Sequence, residues 1–228
     1  MHYLPAQRLK LYRNFKAIDA VDCHGIVRFF ERFEDGIRTL DDDEYFDCAF
    51  TYTEALFETG QYGKNVVMCD HLLELVITQN IETWDGTDIY AKLLLRKAAS
   101  LHQLAEYARS AHILREYIKI YPNDRFARHF LYTCLTRQKP RWLAKTRAMA
   151  ISLAFLAVAA VAIELFVVRP FFLDYYEKSL LAHNFLLGSA IFVLAAGELR
   201  QVWLCRRAVG TLARAARDRQ QQKTSPEE

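Results

Sequence analysis

The sequence predicts an all-α chain: a helical-repeat cytosolic domain followed by a two-helix transmembrane hairpin. Three observations carry that reading. Apolar residues between about 20 and 137 recur with the 3.6-residue period of helices, with no convincing period-2 segment. Two long apolar runs then follow, at 148–168 and 179–199. Lysines and arginines flank those runs on the outer sides and are sparse between them. The implied organisation is an N-terminal helical segment (1–43), a helical repeat domain (44–140), a membrane hairpin (141–205) and a basic helical tail (206–228).

The N-terminal stretch MHYLPAQRLKLYRNFKAIDA is basic and loosely amphipathic, and it lacks the uninterrupted apolar core of a cleavable secretory signal. Arg8, Lys10, Arg13 and Lys16 could face anionic headgroups, while Leu11, Phe15 and Ile18 suit packing onto the domain that follows; the second is favoured. Ile26, Phe29, Phe30, Phe33, Ile37 and Leu40 make the next apolar stripe. LDDDEYF then starts a fresh helix, with an aspartate available as N-cap and acids in the first turn. Residues 31–58 hold ten acids against Arg32 and Arg38. Such a stretch lines an acidic groove for a basic peptide, or it is solvated or docks onto the chain's own basic N-terminal helix.

Two helix–turn–helix segments follow. In TYTEALFETGQYGKNVVMCDHLLEL, Leu56 precedes Gly60 at the turn, Tyr62 stands two residues later, and Leu72 and Leu73 follow. In LLLRKAASLHQLAEYARSAHILREYIKIYPND, Leu94, Ala98 and Leu101 lie on the first helix and Leu104, Ala105 and Tyr107 at the turn. Ser110, Leu114 and Tyr117 occupy the second helix, and Pro122 closes the unit. These segments resemble tetratricopeptide repeats over about residues 44–138. The resemblance implies paired helices in which small residues permit close approach, large ones fill the gap, and stacked pairs present a groove for a protein partner. Its fold-bearing residues are Leu56, Gly60, Tyr62, Leu94, Ala98, Leu101, Tyr107, Tyr117 and Pro122. Gly60 and Ala105 are 45 residues apart, against about 34 in that family. The excess falls at QNIETWDGTD, expected to be a longer loop or a helix extension. A helix from about Asp124 to Gln138 caps the stack.

The run AMAISLAFLAVAAVAIELFVV carries one charge, Glu164, and SLLAHNFLLGSAIFVLAAGEL carries His183, Asn184 and Glu198. At about 1.5 Å per residue, roughly twenty such residues cross a hydrocarbon core. Arg137, Lys139, Arg141, Lys145 and Arg147 precede the first run; Arg200, Arg206, Arg207, Arg214, Arg217, Arg219 and Lys223 follow the second. Only Arg169 and Lys178 lie between. Both termini are therefore expected in the cytoplasm, at an inner membrane of bacterial type or another cytoplasm-facing membrane. Phe171, Phe172, Tyr175 and Tyr176 form an aromatic belt at the far interface. Ala150, Ala154, Ala157, Val161 and Glu164 share one helical face, expected to pack on the second run with Glu164 bonded to His183 or Asn184.

Cys23, Cys48, Cys69, Cys134 and Cys205 are scattered without a CxxC pair, which fits a reducing compartment. Cys23-His24 and Cys69-Asp70-His71 lack the paired spacing of a zinc site, and no GxGxxG, GxxxxGK[ST], GxSxG or HExxH occurs. No catalytic residue, metal or cofactor is expected, and the charge pattern is not a nucleic-acid footprint. The chain is read as a membrane-anchored adaptor that binds a protein partner. The alternatives are an oligomeric effector or channel lined by Glu164, His183, Asn184 and Glu198, and an accessory subunit of a larger membrane complex.

Overall fold

The structure is a computed structural model that describes residues 5–84, 86–138, 140–163, 165–166 and 176–224, with the side chains of 5–6, 141, 176–183 and 223–224 outside that description. The described residues are overwhelmingly helical: α1 (Pro5–Lys16), α2 (Cys23–Arg32), α3 (Glu34–Ile37), α4 (Asp42–Glu58), α5 (Tyr62–Thr78), α6 (Ile89–Gln103), α7 (Tyr107–Ile120), α8 (Arg125–Arg137), α9 (Arg141–Ile163) and α10 (Tyr176–Thr224). The chain divides into two compact units, one of Met1–Cys134 with Ala213–Glu228 and the other of Leu135–Leu212.

In the first unit, α1 docks through Leu11 and Phe15, which are buried, with Ile18 half-buried. Phe30 of α2 stacks on Tyr52 of α4 with centroids 4.0 Å apart. The apolar stripe that begins at Ile26 is interrupted at Phe33, where α2 ends and the short α3 begins. Asp41 occupies the N-cap position of α4 but its side chain makes no capping bond; Asp42, Asp43 and Glu44 complement the helix dipole instead.

The pairs α4–α5 and α6–α7 are built alike. In the first, Thr59, Gly60 and Gln61 donate backbone N–H groups to the carbonyls of Ala55, Phe57 and Leu56. In the second, Leu104, Ala105 and Glu106 donate to Ser100, His102 and Leu101, each 45 residues on. Gly60 has φ of 76° and Ala105 has φ of 60°, so both turns pass through the left-handed region. Phe57 meets Tyr62 edge-on at 5.4 Å, and His102 meets Tyr107 edge-on at 5.1 Å. Asn65 Nδ2 donates to the Thr53 carbonyl at 2.6 Å, as Ser110 Oγ does to the Ala98 carbonyl at 2.8 Å. Leu56, Ala98 and Leu101 are fully or almost fully buried, Leu94, Tyr117 and Pro122 are buried, and Tyr62 and Tyr107 are half-buried.

The segment expected as a loop or helix extension contains a small hairpin, Thr83–Trp84 (β1) against Thr87–Asp88 (β2), with antiparallel pairs Thr83↔Asp88 and Trp84↔Thr87. Two residues per strand are too few to write a period-2 pattern, although Asp85-Gly86 is a hairpin signal. Asp88 ends β2 and caps α6 by accepting from Ala91 N at 2.9 Å. Asp124 caps α8 through Phe126 N and Ala127 N at 2.8 and 3.2 Å. The last turns of α10 belong to this unit: Ala213 and Ala216 are buried, and Gln220 donates to the Ile120 carbonyl at the end of α7 at 2.7 Å.

Candidate functional site

Three elements and a hairpin of the first unit enclose an open cavity of about 650 Å³. Lys16 comes from α1, Asp47, Phe50 and Thr51 from α4, Trp84 and Thr87 from the β1–β2 hairpin, and Lys92 from α6. Asp47 is already engaged. Lys16 Nζ lies 2.8 Å from its Oδ2, and Tyr12 OH donates to the same oxygen at 2.9 Å. Burial, reinforced by the Asp47 carboxylate, pushes the Tyr12 phenol up to about 12. Phe46 holds Trp84 edge-on at 4.9 Å, and the Lys92 ammonium stands 4.7 Å from the Phe50 ring centroid. Among the described residues, no carboxylate lies within ion-pair distance of Lys92.

The acidic stretch 31–58 does not leave this cavity acidic. Glu31 takes Lys64 at 2.6 Å, Glu34 takes Arg38 at 2.6 Å, and Glu54 accepts from Arg96 Nε at 2.9 Å. Arg96 also stacks its guanidinium over Phe57 at 4.3 Å. Glu31, Glu34, Asp47 and Glu54 bind the chain's own cations, α1 included, so the cavity offers aromatic walls, hydroxyls and the Lys92 ammonium beside the Lys16–Asp47 pair. That chemistry suits an extended segment with apolar side chains and a carboxylate.

Two helices are long and apolar enough to cross a membrane: Trp142–Ile163 and Asn184–Gln222. Only 11% and 17% of their most apolar stretches are buried. A core helix of a soluble protein would be mostly covered, whereas Phe155, Phe166, Phe185 and Phe192 here are each more than 70% exposed. The buried positions of α9 are Leu143, Ala150 and Ala157, spaced by seven; Ala154 is half-buried and Val161 is 37% exposed. On α10, Ala190 and Gly197 repeat the same spacing. A Cβ on Gly197 would stand 3.0 Å from Thr146 Oγ1, so the helices meet closely there. One residue further, Glu198 accepts from Arg147 Nε at 2.9 Å. Asn184 is exposed, while Glu164 and the side chain of His183 lie outside the described residues. Gly197 and Arg147 were absent from the sequence-based site: the first was one glycine among many apolar residues, and the second was counted only as a flanking charge.

Cys69 and His71 have structural surroundings. Cys69 Sγ donates to Asn65 Oδ1 at 3.4 Å, and His71 Nε2 lies 2.8 Å from Tyr45 OH. Burial pushes the Cys48 and Cys69 thiols up to about 12, so neither supplies a thiolate at neutral pH. No cluster of three or more metal-ligating side chains occurs among the described residues. No protein-family model, curated protein or solved structure matches the chain.

Proposed function

We propose that the chain is a membrane-anchored adaptor: a cytosolic, helical-repeat unit of tetratricopeptide type that binds a protein partner, fixed to the bilayer by a two-span hairpin with both termini inside. The observation that carries the anchor is the exposure of large apolar side chains along both long helices. The repeat reading is supported by the two turns whose hydrogen bonds, left-handed residue and aromatic pair recur 45 residues apart. The cavity of Lys16, Phe50, Trp84 and Lys92 is the proposed contact for an extended partner segment. Confinement to a surface raises the effective concentration of whatever the unit binds, so no chemistry is required of it.

The experiment is purification in mild detergent followed by crosslinking and mass spectrometry, repeated with Phe50→Ala/Lys92→Glu. A partner crosslinked to α4, α6 or the hairpin and lost with the double variant is expected. Crosslinks made only from α9 and α10 would favour an accessory subunit instead. Ion flux in liposomes without any soluble partner would favour the channel, although Glu198, one of its four proposed lining residues, is engaged by Arg147.

A further inference from the structure

Lys16, Asp47, Phe50, Thr51, Trp84 and Lys92 line the cavity between α1, α4, α6 and the β1–β2 hairpin. Two of its walls, α1 and the hairpin, lie outside the matched pairs α4–α5 and α6–α7, so paired helices alone do not make it. Two polar groups in the wall are unengaged. The Lys92 ammonium stands 4.7 Å from the Phe50 ring centroid and has no hydrogen-bond or ion-pair partner among the described residues. The Thr51 hydroxyl has none either. The hydroxyls of Thr53, Thr59, Thr78 and Thr133, by contrast, each return to the carbonyl four residues earlier, the usual place for a helical threonine. Lys92 is exposed and Thr51 half-buried, and neither polar group is closed to water. Phe50 and Trp84, both half-buried, leave part of their rings in the same wall.

These groups say what kind of segment fits. Lys16 and Asp47 pair at 2.8 Å and offset each other, so Lys92 leaves one uncompensated positive charge in the wall. Lys92 also stands near the start of α6, where the helix dipole disfavours a cation and favours an anion. A single carboxylate matches that charge, accepting from the Lys92 ammonium and the Thr51 hydroxyl. A phosphate dianion brings more charge than the wall offsets. The Phe50 and Trp84 rings match a large apolar side chain. Capture of a chain-terminal carboxylate uses free backbone N–H groups. Here the wall is the middle of α4 and the first turn of α6, where Asp88 already takes the Ala91 N–H. The carboxylate is therefore that of an aspartate or glutamate side chain. In an extended segment, side chains two residues apart share a face and lie about 6.5–7 Å apart. An ammonium held beside a ring presents its two attractions at neighbouring places, as that spacing requires.

We propose that this cavity recognises an aspartate or glutamate two positions from an aromatic or large aliphatic residue in an extended segment of a partner protein. The carboxylate sits on Lys92 and Thr51, and the apolar side chain against Phe50 and Trp84. The inference rests on the adaptor reading and names the chemistry of its partner. Its test is selection of a displayed library of short random peptides on the full chain in mild detergent, followed by fluorescence anisotropy of a labelled peptide from the enriched pool. The pool is expected to carry the acidic and apolar residues at that spacing. Lys92→Met keeps the stem and removes the charge, and Thr51→Val keeps the shape and removes the hydroxyl. The first should weaken the peptide about tenfold and the second about threefold, the worth of a charged and of a neutral hydrogen bond. Changing the peptide's acid to its amide should cost about as much as Lys92→Met, and the two changes together no more than either alone. Selection on Lys92→Glu should replace the enriched acid by lysine or arginine. A pool without the acidic and apolar pair, one that needs a free terminal carboxylate, or an acid indifferent to Lys92→Met overturns the proposal. Failure to enrich any peptide overturns the adaptor reading together with it. A pool that binds Phe50→Ala/Lys92→Glu as well as the native chain overturns only this site.

Discussion

Asn65 ties three helices together through one side chain. Its Nδ2 donates to the Thr53 carbonyl of α4 at 2.6 Å, and its Oδ1 accepts from Ser100 Oγ of α6 at 2.7 Å and from Cys69 Sγ of α5 at 3.4 Å. Asn65, Thr53 and Ser100 are all fully buried. Replacement by leucine keeps the number and branching of side-chain heavy atoms, with bulkier methyls in place of the amide, and removes every bond. The Thr53 carbonyl keeps its helical partner, and Ser100 can turn back to the carbonyl four residues earlier. What is lost is two strong hydrogen bonds and one weak one, about 2–3 kcal/mol in total. Serine at 65 should do better, because Ser110 stands at the matching place of the next pair and reaches the Ala98 carbonyl at 2.8 Å. Hydrogen–deuterium exchange of the full chain in mild detergent reads the difference element by element. Asn65→Leu should speed exchange in α4, α5 and α6 roughly 30- to 150-fold, by the usual 1.4 kcal/mol per decade, and Asn65→Ser by less than a third of that. Peptides of α9 should not change. Equal effects of serine and leucine, or a change below threefold, would refute the argument that this network locks the helices.

The turns give a reciprocal test. Gly60→Ala places a Cβ in open space but at φ of 76°, and Ala105→Gly relieves φ of 60°. The first should cost and the second gain about 0.5–1 kcal/mol in thermal unfolding. For α1, the Tyr12 phenol is raised from 10 to about 12 in the folded chain by burial and by Asp47. Its contribution is therefore complete below pH 10 and lost as pH climbs through about 12. The tyrosinate absorbance difference between the native chain and Tyr12→Phe should show a titration near 12, and one near 10 would count against docking of α1. Iodoacetamide at pH 7.5 should modify Cys23 and Cys205, which are half-buried, well before Cys48 and Cys69, as peptide mapping would read.

Helix identity was legible wherever apolar periodicity, a breaker or a cap spelled it out. Pro122 with Asp124 marked the end of α7 and the start of α8 because both act locally. The two apolar runs were legible because their length alone selects them. The hairpin at Thr83–Asp88 was not, because so short a ladder has no periodicity of its own. Pairing between distant residues was invisible for a different reason. Nothing local distinguishes Glu54, taken by Arg96, from an acid that faces water, so the stretch 31–58 looked more acidic than the surface it makes. Glu198 and Gln201 on α10 show the same limit: one has a partner 51 residues away, and the other donates to a carbonyl 65 away.

The seam between α9 and α10 makes a prediction for residues that lie outside the described ones. Leu143, Ala150 and Ala157 are buried at intervals of seven, and the next count arrives at Glu164. Counting back by seven from Gly197 through Ala190 arrives at His183. A seven-residue period is that of two helices packed side by side along their length. Leucine at 164 removes a group that costs roughly 2.5–3.5 kcal/mol to insert, so without a partner the variant should be more stable. If Glu164 is bonded to His183, the variant instead loses an interhelical bond worth about 0.6–1.7 kcal/mol and leaves a polar ring facing lipid. The expected result is that Glu164→Leu and His183→Leu each lower the unfolding temperature in detergent, and that the double variant is no worse than either alone. A Glu164→Leu chain that melts at or above the native temperature, with His183→Leu adding independently, would mean that the carboxylate fastens nothing at this seam.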